Sequence, residues 1–259
     1  MSNNLNQIPS YTRYADIKRL NFIKKNLAES IPANGSVLDV GCGNGIISLQ
    51  LGKEGYAVHG IDMSDKSIEN AKQKNPFTNV TFSVMDAETM RASGQRYDAI
   101  VCSEVLEHLN QPSKLVNQLA AILQPNGILL VTVPNGRGPR ESLVTKPFLK
   151  LRKKNNWAWR SVLKLKKGLG YSGTTIQSDA DNLDHIQFFT RDQLKKLSQE
   201  NGFNIHKIES SNFIDDIFPI SLIASKSRLL QTLDARIADI LPVAFTGGYL
   251  MVWKKNKGV

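Results

Sequence analysis

The hydrophobic pattern divides the chain into short apolar runs that alternate with amphipathic segments. Apolar positions recur at roughly helical spacing over residues 11–30 and stop before Pro32, which predicts a leading helix. Ser36–Val40 is an apolar run ending in Gly41-Cys42-Gly43-Asn44-Gly45, and a helical pattern follows to about Lys53. Residues 56–61 read as a second strand, after which Ser64 caps a helix to about Lys74. Val80–Val84 and residues 97–102 and 127–133 read as further strands; residues 113–123 are helical, and Pro134 stops the fifth strand. Near-continuous apolar strands joined by helices indicate an α/β chain with a mostly parallel sheet covered on both faces.

The pattern breaks after Val133. Residues 135–184 are rich in Gly, Pro, Lys and Arg and read as an insert. Order resumes at Thr190, a suitable N-cap for a helix to Asn201, with Gly202 closing it. Residues 203–208 and 248–253 complete a set of seven strands, and 211–246 is mixed and partly helical. The expected organisation is an N-terminal helical segment (1–33), a core (34–134), a basic insert or lid (135–184) and a C-terminal completion of the sheet with a helical insert (185–259).

Composition narrows the class. With 259 residues, 41% hydrophobic and 22% charged, the chain can bury a sizeable core. Two cysteines, Cys42 and Cys102, make neither a disulfide framework nor a four-thiolate zinc site. The first ten residues lack a signal-peptide core, and no stretch approaches the ~20 apolar residues of a membrane span. The expected location is the cytoplasm, with the inner membrane face as a peripheral site. The net charge of +10 is local: residues 137–167 hold eleven Lys or Arg and a single acid, Glu141, while the remainder balances. Nucleic acid is therefore a disfavoured partner.

The glycine turn carries the first chemical signal. A Gly-rich strand-to-helix turn brings backbone N–H groups to a ligand at the carboxyl edge of a parallel sheet. Asp62 ends the second strand twenty-one residues after Gly41, where an acid can hold both hydroxyls of a ribose. Asp39 lies inside the first strand, where a carboxylate is costly to bury without a partner. It would repel a pyrophosphate, and Ile46 stands where a dinucleotide fingerprint has its third glycine. A ligand with an ammonium and a sulfonium, S-adenosylmethionine (SAM), fits these charges better.

VLDVGCGNG, GIDMS, VMDAE, YDAIVCSEVLEHL and LQPNGILLVTVPN resemble the successive motifs of class I SAM-dependent methyltransferases, most closely the group that includes the ubiquinone-biosynthesis O-methyltransferases. The resemblance covers residues 34–134, with a looser echo at 184–203. It implies a Rossmann-like fold and the following roles. Asp39 orients the methionine amino group, and Gly41, Cys42 and Gly43 contact the methionine part. Asp62 holds the ribose diol, and Met63 packs on the adenine. Asp86 bonds the adenine amino group, with Ala87 adding its N–H. Ser103 lies beside the methyl group, with Glu104 facing the acceptor.

Displacement on a sulfonium carbon needs alignment and exclusion of water, and an oxygen nucleophile also needs its proton removed. Glu104, His108 and His185 are the catalytic candidates; Glu104 and His108 are one turn apart if the segment coils. Some relatives use a Glu-x-x-Glu-His cluster on a divalent ion, with a further His downstream. The matching metal set here is Glu104, Glu107, His108 and His185, of a type suited to Mg²⁺, Mn²⁺, Fe²⁺ or Zn²⁺. The same residues without metal would line an acceptor pocket. His59 and His206 read as structural or exposed.

Residues 142–171 interleave cations with Phe148, Trp157, Trp159 and several leucines. Such a segment suits a lid over the acceptor, an anionic membrane surface or a nucleic acid. The expected activity is methyl transfer from SAM to a small-molecule acceptor, most readily a hydroxyl of a glycan, lipid-linked or secondary-metabolite substrate. The alternatives are a metal-assisted RNA-ribose 2′-O-methyltransferase and a non-catalytic SAM-binding peripheral membrane protein.

Overall fold

The computed structural model describes residues 8–87, 94–147, 150, 185–215, 217, 220–224 and 226–256. A leading helix, α1 (Tyr14–Ser30), precedes β1 (Ser36–Val40), α2 (Ile46–Lys53), β2 (Ala57–Asp62), α3 (Asp65–Gln73), β3 (Val80–Val84) and β4 (Tyr97–Ser103). Then come α4 (Pro112–Ile122), β5 (Leu123–Pro134), α5 (Arg191–Glu200), β6 (Phe203–Ser210), α6 (Ile220–Ala224), α7 (Arg228–Ile240) and β7 (Gly248–Lys255).

The seven strands form one sheet in the order β3-β2-β1-β4-β5-β7-β6, with β1 to β5 parallel and β7 antiparallel to both its neighbours. This is the Rossmann-like arrangement expected from the motifs. The strand alternation feeds two cores. Leu38, Cys102 and Leu129 face one layer with α4 and α5, while Val37, Val101 and Leu130 face the other with α1, α2 and α3. The strand order reverses at β1, with β2 and β3 laid down on one side and β4 and β5 on the other, all parallel, so a crevice opens at the carboxyl ends of β1 and β4. Both cysteines are buried and unbridged.

Local chemistry explains the helix boundaries. Ser64 Oγ accepts from Ser67 N at the start of α3. Thr190 and Gln193 make a reciprocal capping box at α5, and Gly202 closes that helix with φ 78°. One boundary differs from the sequence reading: β5 begins at Leu123, not at 127. Leu123 pairs with Tyr97 across an irregularity in the β4–β5 register, so a Pro-Asn-Gly segment that reads as a loop is carried within the strand. Most of the basic insert, including 151–171, lies outside the described residues; its first part holds a wide helical turn at Glu141–Thr145.

Gly52 in α2 touches β3 so closely that a Cβ there would lie 2.1 Å from Val80 Cγ2, a stiff β-branched neighbour. Gly52→Ala is expected to lower the unfolding free energy by about 1–3 kcal/mol. A wild-type midpoint in urea would show that the α2–β3 contact yields.

Candidate active site

The turn after β1 is built on left-handed backbone. Gly41, Gly43 and Gly45 have φ of 67°, 52° and 77°, a region open to glycine and strained for other residues. Space forbids a side chain as well, since a Cβ on Gly41 would lie 2.5 Å from Val105 Cγ2. The turn is pinned to its neighbour strand. Cys42 N donates to Ile61 O at 3.0 Å, and Gly43 N donates to Asp62 Oδ2 at 2.9 Å. Ser64 N donates to the other Asp62 oxygen at 2.8 Å. Asp62 thus sits directly across the glycine turn, its carboxylate held by two backbone amides.

Asp39 lies one layer below, 1% exposed, and Ser48 of α2 donates to its Oδ2 at 2.6 Å. That hydrogen bond is the partner a buried strand carboxyl requires. Met63, next to Asp62, is 74% exposed and so belongs to no core. Asp86 is exposed and Ala87 buried at the end of β3, on the same edge.

The end of β4 is a second polar centre. Ser103 Oγ lies 2.9 Å from Thr132 Oγ1, and Thr132 donates on to Glu104 Oε1 at 3.0 Å. Glu104 does not begin a helical turn as its spacing suggests. It has φ 59°, the lone non-glycine positive φ among the described residues, and a short 3₁₀ turn, Leu106–His108, starts after it. Holding a glutamate there stores strain of about 1 kcal/mol or more. The conformation is over-determined: Glu104 N donates to Thr132 O, and Arg19 Nη1 of α1 lies 3.6 Å from the carboxylate. Arg19 also pairs with Asp16 at 3.0 Å and is itself buried. Burial pulls its guanidinium downward, but Glu104 and Asp16 outweigh that and raise it.

The 3₁₀ turn sends Glu107 inward. It is 1% exposed, and neither carboxylate oxygen has a hydrogen-bond partner among the described residues. Burial, reinforced by the charge of Glu104, drives its carboxyl well above the usual range. Glu107, His108 and His185 each offer a ligand atom within 4.8 Å of the others. Glu104 stands outside this group. His185 comes from the segment before α5, which is tied down where Ile186 N and Gln187 N both donate to Glu107 O. On its far side His185 Nδ1 lies 3.3 Å from Glu141 Oε1. A carboxylate there favours the proton on Nδ1 and leaves Nε2 as a donor atom.

Three residues of this centre were not singled out as functional from sequence: Arg19, Thr132 and Glu141. Thr132 had a signal, as the polar residue in an otherwise apolar strand. Glu141 had one as the lone acid of the cationic segment. Arg19 had none, because nothing local ties a residue of α1 to the end of β4. A cavity of about 40 Å³ lies beside Glu104, lined among others by Arg13, Asp16, Arg19, Arg140 and Tyr249. His59 is structural, with its ring nitrogens 2.9 Å from Tyr97 Oη and 3.0 Å from Ser83 Oγ.

A family model described as a methyltransferase domain matches residues 11–208, about three-quarters of the chain. The chain belongs to the SAM-dependent methyltransferase family. Ubiquinone biosynthesis O-methyltransferases are similar to its core: that of Coxiella burnetii is 37% identical over 114 residues, covering 43% of this chain and 49% of the relative. That of Haemophilus ducreyi is 33% identical over 134 residues, covering 47% and 56%. The chain thus spans about half the length of these relatives. Among solved structures, magnesium protoporphyrin IX methyltransferase from Synechocystis, with bound SAH, superposes with a TM-score of 0.56 at 18% identity over 93% of this chain and 84% of its own. The [4+2]-cyclase SpnF gives 0.55 at 17% identity, over 91% and 81%. These two show the fold, and the cyclase shows that the methyltransferase fold does not by itself fix the reaction.

Burial pushes the Asp39 carboxyl up to about 7, opposed by the Ser48 hydrogen bond and reinforced by Asp62. The folded ligand-free methyltransferase therefore holds a proton that the unfolded chain releases near the ordinary 3.8. Its stabilising effect is full below about 3.8 and lost as pH rises through about 7. Asp39→Asn is expected to flatten this slope and to raise ligand-free stability near about pH 8 by more than about 1 kcal/mol. Urea unfolding across that range reads it; parallel profiles for variant and wild type would contradict it.

Proposed function

We propose that the chain seats SAM across the glycine turn and directs its methyl group to a hydroxyl of a small-molecule acceptor, in the glycan, lipid-linked or secondary-metabolite class. The observation that carries this reading is the pair of carboxylates, Asp39 and Asp62, flanking a left-handed glycine turn, with an acid–histidine cluster at the next strand end. The names of the curated relatives support oxygen as the acceptor atom.

Bound SAM supplies a methyl group already activated by its sulfonium. Asp62, preset by the amides of Gly43 and Ser64, offers its outer lone pairs to the ribose diol. Asp39 faces the ammonium of the methionine part, and a cation there would favour release of its proton. Gly41, Cys42 and Gly43 bring bare backbone against that part. Met63 covers the adenine, whose edge meets Asp86 and the N–H of Ala87. Ser103 and Glu104 hold the acceptor in line with the methyl group, since the Thr132 and Arg19 contacts leave Glu104 little freedom. His108 or His185 takes the hydroxyl proton as the O–CH₃ bond forms and the S–CH₃ bond breaks.

The Glu107, His108 and His185 group also fits a divalent cation, because a buried carboxylate without a hydrogen-bond partner is what an ion would satisfy. Such an ion, when bound, acidifies a hydroxyl that reaches it. A ribose 2′-hydroxyl of RNA would use the same cluster. The names of the curated relatives favour the small-molecule acceptor over RNA.

Asp62→Ala is expected to weaken SAM binding at least about thirtyfold by calorimetry, as two charge-assisted hydrogen bonds are lost; normal affinity would refute the cofactor assignment. Titration with Mn²⁺ is expected to release heat in the wild type and none in Glu107→Gln. Absence of heat in the wild type, with turnover unchanged by EDTA, would remove the metal.

A further inference from the structure

Eight of the twelve large apolar side chains that are exposed among the described residues fall between positions 220 and 245. They are concentrated on α6, α7 and the turn after α7, which are in contact. Leu229, Leu233, Ile237 and Ile240 recur every three or four residues along α7 and so make a continuous stripe; Leu229 is 70% and Ile240 85% exposed. Ile223 of α6 and Phe245 after α7 are also exposed, at 67% and 63%.

The helix is amphipathic in the inverted sense. Its buried residues are Gln231, Asp234, Ala235 and Ala238, polar or small. They are occupied with structural work. Gln231 Oε1 accepts from Tyr14 N at 2.7 Å, and the Asp234 carboxylate accepts from Phe213 N and Ile214 N at 2.7 and 2.8 Å. The large apolar residues therefore serve no core of this domain, and a stripe of this size on a folded chain marks a docking face.

Charge selects what docks there. Lys226, Arg228 and Arg236 are exposed in and around the stripe, while Asp239 on the same side is paired with Lys18 at 2.5 Å. An apolar stripe with a cationic border complements acyl chains beneath anionic headgroups. It does not complement a second copy of itself, whose border would carry the same sign. α7 has thirteen residues, too few to span a bilayer, and no described helix is long and apolar enough to do so. We propose that α6 and α7 form a membrane-docking face that lays the domain flat on an anionic phospholipid surface, with the outer face of α7 in the headgroup–acyl boundary. α7 packs on α1, the helix that carries Asp16 and Arg19, with Arg13 just before it, to the cavity beside Glu104. The acceptor side of the domain thus stands close to the lipid. This surface is separate from the lysine-rich segment 142–171, and binding to it needs no SAM.

The test is co-sedimentation of the full chain with phosphatidylcholine vesicles, with and without phosphatidylglycerol. Wild type is expected to bind only the anionic vesicles. Leu233→Ser combined with Ile237→Ser is expected to weaken that binding at least about tenfold. Because both positions are exposed, melting temperature and SAM affinity stay as in wild type, which separates this result from any failure of the methyltransferase reading. Wild-type chain that ignores anionic vesicles overturns the proposal. So does a double variant that binds as tightly as wild type, with the lysine variant (Lys153, Lys154, Lys166 and Lys167 to Ser) the one that loses binding. A wild-type dimer in sedimentation velocity that the double variant dissolves, without vesicle binding, overturns it in favour of self-association.

Discussion

Five residues of left-handed and tight backbone, Gly41 to Gly45, set the geometry on which the site depends. Because their amides turn toward β2, one of them fixes Asp62 across the turn, and because β1 ends there, Asp39 is left directly beneath. The parallel register of β1 with both β2 and β4 then brings Asp62 and Ser103 to the two sides of the same turn. A side chain at Gly41 would strain the backbone and strike Val105, which itself leads into the Glu107–His108 turn. The turn after β1 and the turn after β4 are therefore coupled through one steric contact.

The end of β4 gathers three carboxylates, two of them buried and Glu104 partly exposed. Glu104, Glu107 and Glu141 come from two stretches of chain, with Arg19 from a third near by. Glu104 is stabilised by Arg19 and Thr132, and Glu141 by His185. Glu107 makes no side-chain hydrogen bond among the described residues and has only the longer His108 Nε2 contact, at 3.8 Å, so its burial is costly. The two histidines beside Glu107 are the reason a cation is proposed there.

Residues 211–246 add a surface to the domain more than they add to its core. Asp234 and Gln231 spend the inner face of α7 on capping loop amides and α1, which leaves the outer face for apolar contact. A helix built this way holds its place by hydrogen bonds while keeping its hydrophobic residues available.

What the sequence determined is what depends on neighbours along the chain. The glycine turn, the Ser64 and Thr190 caps, the apolar strands and the acids at their ends are local signals, and each strand's period and length announced a parallel sheet. The motifs then marked Asp39 and Asp62 as members of one expected site. Tertiary structure decided the rest. Glu104 to His108 has helical spacing, yet the pull of Arg19 and Thr132, over eighty and nearly thirty residues away, holds Glu104 left-handed and turns Glu107 inward. Leu123 joins β5 because Tyr97 offers it a partner, which no local propensity encodes. Glu141 becomes a partner of His185, and the leucines of α7 become a surface, only when distant segments are brought together, because a side chain's environment is set by what packs against it in space.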